Sequence, residues 1–182
     1  MDVSRESATR RAVRGRVAIR PFRASDSIEA LTRLLHRAYG PLAKLGLNCT
    51  AAFQGPEMTR QRVEHGHCLV ALDGKALVGT ILVNAEIPNT LGAQFGRPEV
   101  ASLHQFAVAP QCQGRGVGSL LLSRAEEYVA GQGLAAIALD TAEPDPRRVA
   151  FFVRRGYRSI APIQWSGKTY RSVIMSKELL GG

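Results

Sequence analysis

A chain of 182 residues with 45% hydrophobic and 21% charged residues can fold as one domain around its own core, without disulfide or metal staples. No apolar run approaches the ~18 residues of a membrane helix, the N-terminus lacks the apolar core of a secretory signal, and Cys49, Cys68 and Cys112 form no CxxC pair, which fits a reducing cytoplasm with no metal site. Of the net charge of +9, residues 1–23 carry +5, leaving +4 for the other 159, so the excess reads as a solvated tail, not a nucleic-acid face.

Residues 1–16 are expected to be a disordered basic tail ahead of a single domain over 17–180. Val17–Pro21 reads as a first strand. Ser25-Asp26-Ser27-Ile28-Glu29 starts a helix, with Asp26 and Glu29 spaced as in a capping box. Ile28, Leu31, Leu34, Leu35 and Ala38 give that helix one apolar face, and Tyr39-Gly40-Pro41 is expected to interrupt it. An irregular or weakly helical stretch to Pro56 and a short helix over Glu57–Glu64 follow. His67–Leu72 and Ala76–Val83 flank Asp73-Gly74 as a hairpin. Residues 84–98 form a long loop of the functional or mobile kind.

Val100–Val108 is the next strand. Val117, Leu121, Ala125, Tyr128 and Val129 then stripe a helix that ends near Gly131 and Gly133. Leu134–Leu139 is a nearly unbroken apolar run, as in a strand buried on both faces, and should lie parallel to Val100–Val108 through a right-handed crossover. Pro146–Arg155 is a short helix closed by Gly156, and Tyr157–Trp165 with Lys168–Ser176 closes the chain as an antiparallel hairpin. The expected fold class is α/β (α+β): a mixed sheet of six to seven strands flanked by about four helices.

Between the strand ending at Val108 and its helix, Gly114, Gly116 and Gly118 stand at alternate positions after Gln113. Glycines let backbone approach a phosphate, and a helix start offers unpaired N–H groups, so this order builds an anion site. A dinucleotide fingerprint would use Gly114 and Gly116, with Asp140 as the ribose acid, but Ser119 occupies its third glycine position and too few βα units follow. A P-loop at Gly167-Lys168-Thr169 fails because Pro162 stands where the leading glycine belongs.

Phe106-Ala107-Val108-x-Pro, the Gln113–Gly118 loop, the Leu-rich helix, Leu139-Asp140-Thr141 and Ala150 through Tyr157 resemble, in order and spacing, the GCN5-related N-acetyltransferases. The resemblance implies that the two parallel strands splay apart. It implies acetyl-CoA as cosubstrate, no metal, and direct transfer of the acetyl group to a primary amine in a ternary complex. By position, the backbone of Phe106 and Val108 would bind the pantetheine arm, with Ala107 between them and the Val108 N–H facing the thioester oxygen. Gln113, Gly114, Arg115, Gly116, Val117, Gly118 and Ser119 would cradle or border the pyrophosphate. Arg147, Phe151 and Phe152 would complete the acetyl-CoA contacts. Arg147 stands where the family often has asparagine, and Phe152 where it often has a tyrosine acid.

Phe152 has no proton to give the departing sulfur, so Tyr157, Tyr170 or a water would do so, or the thiolate would leave unassisted. His104 and Glu99 are the candidate bases for the acceptor amine. Alternation puts His104 on the face of Phe106 and Val108, where an isolated histidine is by default a packed one, although a pKa near ~6.5 suits a base acting through water. Glu99 reads equally as a solvated strand-end carboxylate. The acceptor site would be walled by 39–57, 84–98 and the final hairpin with Trp165 and Tyr170; with no acidic cluster there, a small amine or amino-acid-like acceptor fits better than a polyamine, and a protein or peptide amine stays open. A homodimer and a non-catalytic acyl-CoA-binding module also stay open.

Overall fold

The computed structural model describes residues 17–84 and 99–179. The expected tail over 1–16 and nearly all of the loop expected over 84–98 lie outside the described residues. The strands are β1 (Val17–Pro21), β2 (His67–Asp73), β3 (Ala76–Asn84), β4 (Val100–Val108), β5 (Ala136–Ala142), β6 (Arg158–Ile163) and β7 (Ser172–Glu178). The helices among the described residues are α1 (Ile28–Lys44), α2 (Thr50–Phe53), α3 (Pro56–Glu64), α4 (Val117–Gly131) and α5 (Pro146–Val153). The strands make one seven-stranded mixed sheet in the order β1-β2-β3-β4-β5-β7-β6.

α1 begins differently from the capping box expected at Asp26. The Ser27 hydroxyl is the cap, accepting from the Ala30 N–H at 3.1 Å and donating to Glu29 at 2.8 Å. Asp26 is committed elsewhere: it accepts from both terminal nitrogens of Arg20 (2.6 and 2.7 Å) and from the Arg23 N–H (2.7 Å). The Arg20 hydrogen bond leads the causes that hold the Asp26 carboxyl below its ordinary pKa. α1 also runs through Pro41 to Lys44. A proline removes one N–H, and so close to the C-terminus the helix loses a single bond for it, while Leu42 stays packed beside Leu47 and Cys49. Leu31, Leu34 and Leu35 are fully buried, at ~1.5–3 kcal/mol each.

α4 covers one face of the sheet, so closely that a Cβ on Gly79 of β3 would lie 2.8 Å from the Leu121 side chain. α1 and α2 cover the other, where Leu35 and Ala51 pack on Ala107. β4 and β5 are parallel, as expected, but paired only from Val100–Ala136 to Ser102–Ala138. Beyond that point they part. β7 runs antiparallel to β5 and to β6. Asn48 ties the α1–α2 connection to the turn before β7: its Nδ2 donates to the Gly167 carbonyl at 2.7 Å and its Oδ1 accepts from the Thr169 N–H at 2.9 Å. Gly167, at φ +76°, is thus a hairpin turn and no phosphate loop.

β4 carries a bulge. Leu82 pairs with His104 and Thr80 with Ala107, so the extra residue falls at Gln105–Phe106, and Gln105 takes φ +48°. Leu82 and Thr80 share a face of β3, hence so do His104 and Ala107. Phe106 and Val108 turn to the opposite face, against Gly118 of α4. The alternation expected from the sequence fails here: the inserted residue flips the face of all that follows it.

Candidate active site

The turn from β4 into α4 is built by its glycines. Gly114 and Gly116 take φ +73° and +88°, the left-handed region where a Cβ costs about 1–2 kcal/mol. Gly116 caps α4 without any side-chain hydrogen bond, and the first intrahelical bond runs from the Leu120 N–H to the Gly116 carbonyl. The N–H groups of Val117, Gly118 and Ser119 therefore precede it, at the positive end of the helix dipole. Gly118 serves close approach: a Cβ there would lie 3.2 Å from the Phe106 ring and 3.5 Å from the side chains of Phe151 and Val108. A pyrophosphate fits such a start. Gly116→Val is expected to weaken acetyl-CoA binding at least ~10-fold in calorimetry, because its side chain is strained at this φ and crowds the amides; tighter binding of NAD than of CoA would revive the dinucleotide reading.

Arg155, which the sequence reading passed over, joins this helix start. It donates to the Phe151 carbonyl at 2.9 Å and to the Ser119 hydroxyl, with its guanidinium 3.5 Å above the Phe151 ring. Arg115 is exposed on the loop, and Arg147 is exposed on α5. The inward residue of α5 is Arg148, one position further. Its guanidinium lies 4.5 Å over the Tyr39 ring and 3.7 Å from Asp145. Burial opposes its charge, and Tyr39 and Asp145 more than offset that, raising its pKa.

Where β4 leaves β5, its edge faces a gap. The Ala109 N–H donates to Val78 of β3 at 2.8 Å, so alternation turns the Val108 N–H and carbonyl into the gap. Gln113 Nε2 donates to that carbonyl at 3.1 Å. The Phe106 carbonyl accepts from the Tyr39 hydroxyl at 3.1 Å, with Arg148 at 3.5 Å.

A cavity of about 220 Å³ opens along the gap, lined by β4 from Leu103 to Phe106, by β5 from Leu139 to Ala142, and by side chains of α1, α2, α3, α5 and the β6–β7 turn. Its lining holds three cationic side chains, Arg62, Arg148 and Lys168, against one carboxylate, Asp140. Asp140 accepts from the Trp165 indole at 3.0 Å. Lys168 donates to the Asn48 carbonyl and the Thr50 hydroxyl at 2.9 and 2.8 Å, both neutral partners. His104 lines this cavity, its Nε2 2.8 Å from the Ser102 hydroxyl. Burial, opposed by Asp140 and aided by Arg62, holds its pKa below the usual imidazole value. Tyr170 also lines it, with its phenol pushed up by burial and by a hydrogen bond with Cys49.

Other expected groups fall outside the cavity. Tyr157 is 2% exposed in the core, where its hydroxyl donates to Glu126 at 3.1 Å, and Lys177 holds the other Glu126 oxygen at 2.7 Å. Burial first, and Glu126 next, push its phenol up. Glu99 is exposed at the foot of β4. Phe152 does line the cavity, packed against Phe106, Phe151 and Tyr157. Tyr39, the first residue of the wall expected over 39–57, does line the cavity, and the missed residues are Arg62, Arg148 and Arg155. Arg62 and Arg148 are ordinary helix residues and Arg155 sits in the turn after α5; their roles appear only when distant segments meet.

Parallel strands that part beside a glycine-built helix start, with a strand edge in the gap that no other strand pairs, fit an acyl-CoA-dependent transferase. The model of the Acetyltransferase (GNAT) family matches residues 29–157, and the chain belongs to that family. It is similar to the S-(2-succino)cysteine N-acetyltransferase of Bacillus subtilis (strain 168), 29% identical over 153 residues, covering 83% of this chain and 90% of that protein. It is also similar to the S-alkylcysteine N-acetyltransferase of the same organism, 29% identical over 141 residues, covering 72% and 74%. A GNAT family acetyltransferase from Elizabethkingia anophelis with acetyl-CoA bound shares the fold, with a TM-score of 0.64 at 17% identity over 90% of this chain and 99% of that one. The protein is an N-acetyltransferase enzyme, of a family that uses acetyl-CoA; the reading as a non-catalytic module gives way.

Proposed function

We propose that the protein acetylates the α-amine of a small amino acid of the S-substituted cysteine class by direct transfer from acetyl-CoA. The observation that carries this reading is the cavity lining, three cations to one carboxylate. It suits an acceptor bearing a carboxylate and disfavours polyamines. The cavity's volume of about 220 Å³ lies below the ~300–1,000 Å³ of drug-sized pockets, which favours a small molecule over a protein amine. Both relatives act on S-substituted cysteines by name.

In this reading the amides of Val117 to Ser119 hold the pyrophosphate, with Gln113, Arg115 and Arg155 beside it. The β4 edge at Phe106 and Val108 aligns the pantetheine arm, and the Val108 N–H stabilises charge on the thioester oxygen. His104, neutral near pH 7, takes the amine proton through a water. Tyr170, kept protonated by burial, would supply a proton to the departing sulfur, since Tyr157 is buried in the core on Glu126. Three buried free cysteines support a reducing, cytoplasmic setting.

A panel of amines followed by CoA release tests the acceptor. S-alkyl and S-carboxyalkyl cysteines are expected to exceed spermidine and aminoglycosides in kcat/KM by more than about tenfold, ~1.4 kcal/mol of transition-state discrimination. A polyamine turned over best would overturn the reading.

A further inference from the structure

We propose that Arg62 and Gln105 form a subsite for the acceptor's carboxylate, which makes the enzyme select amino acids over the matching carboxylate-free amines. This deepens, and rests on, the amino-acid acceptor proposed above.

Three cations line the cavity, and two of them are committed. Arg148 sits on Tyr39 beside Asp145, and Lys168 is held by Asn48 and Thr50. Arg62 has neither an ion-pair nor a hydrogen-bond partner for its side chain among the described residues. It stands in the last turn of α3, where the helix dipole favours a cation. Its guanidinium is partly buried, and the loss of water lowers its pKa.

Gln105 is the second, independent sign. It is 5% exposed, lines the same cavity, and neither its amide nitrogen nor its amide oxygen has a partner among the described residues. Buried amides are nearly always satisfied, and leaving one unpaired costs free energy. The backbone also bears strain to place it, since φ +48° is uncommon for a residue with a Cβ. The Thr141 hydroxyl, likewise 5% exposed and unpartnered, lines the cavity from β5. A guanidinium with an amide N–H and a hydroxyl is a donor set for a carboxylate. Arg62 and His104 line the same cavity, and Arg62 is close enough to depress the His104 pKa. A carboxylate bound there therefore sits beside the proposed base. His104 is neutral and does not compete for it, while Asp140, tied to Trp165, remains for the acceptor's ammonium end.

The test uses matched pairs: S-methylcysteine with 2-(methylthio)ethylamine, and methionine with 3-(methylthio)propylamine. CoA release is followed at about pH 8, above the ~6.5 of a free imidazole, so that His104 is neutral in every variant. The wild-type enzyme should prefer the amino acid of a pair at least ~100-fold in kcat/KM, as a site with buried donors rejects an analogue lacking their acceptor. Arg62→Leu should cut that preference below ~5-fold, through KM for the amino acid, and Arg62→Lys should restore part of it. Gln105→Leu should cut it as well. Should that variant fold poorly, the Arg62 series at the end of α3 decides alone. Equal losses on both members of a pair, an unchanged preference in Arg62→Leu, or no preference or turnover with either pair in the wild type overturns the subsite. If S-methylcysteine is not turned over but the methionine pair shows the Arg62-dependent preference, the S-substituted cysteine reading fails and the subsite stands.

Discussion

His104→Ala is expected to lower kcat/KM about 100-fold near pH 7, with acetyl-CoA affinity unchanged. The imidazole lines the cavity with Nε2 on the Ser102 hydroxyl. Burial holds it neutral at a pH where a lysine-like amine, of pKa ~10.4, is still protonated and cannot attack. The loss should shrink as pH rises and the free amine grows. The acid limb of the wild-type profile should have its midpoint below ~6.5, because the folded pKa is depressed. Stability follows the same sign. Between the depressed folded pKa and the unfolded ~6.5 the unfolded chain binds more protons, so this stabilisation is present above ~6.5 and is lost as pH falls through that window. If the histidine is only packed, His104→Ala will lower Tm and leave the pH–rate profile in shape.

Phe152→Ala is expected to cost ~3–5 kcal/mol of stability, which for a chain of this size lowers Tm by roughly 6–20 °C. Phe152 is 2% exposed, with ring centroids 5.8 Å from Phe106, 5.2 Å from Phe151 and 5.4 Å from Tyr157. It joins α5 to the part of β4 that has lost its β5 partner, so no strand ladder compensates for the void. Thermal unfolding checks the magnitude. A loss under ~1 kcal/mol, the scale of a site that collapses onto the deletion, would show that the aromatic cluster does not brace the gap.

The glycine loop and the helix after it were legible in the sequence because their causes are local: residues that tolerate left-handed φ, then an apolar stripe. The hairpins and the parallel crossover followed in the same way. The bulge at Gln105 was not legible, since nothing in Leu-His-Gln-Phe marks a positive φ on glutamine, and its position decides which face His104 shares. The sequence points to Arg147 where Arg148 turns inward; one residue is about 100° around a helix, finer than boundary reading from a single sequence. Asp26 could cap a helix or clamp Arg20, and only the return of β1 beside it decides. Tyr157 carried a chemically apt group, yet a phenol's usefulness depends on exposure, and its partner Glu126 lies 31 positions away.

The seam between β4 and β5 divides the molecule's rigidity. β1–β4 and β5–β7–β6 are each continuous ladders, and among the described residues the pairing that joins them runs from Val100–Ala136 to Ser102–Ala138, with the Ala135 N–H donating to the Glu99 carbonyl beside it. At the mouth of the gap the two halves meet through side chains: Asn48 on the Gly167–Thr169 turn, Lys168 on Thr50, and Arg148 on Tyr39. Individual side-chain contacts of this kind contribute ~0.5–1.5 kcal/mol each, far less than a strand ladder. The wedge can therefore breathe by releasing a few side-chain latches while both ladders keep their amides protected from exchange.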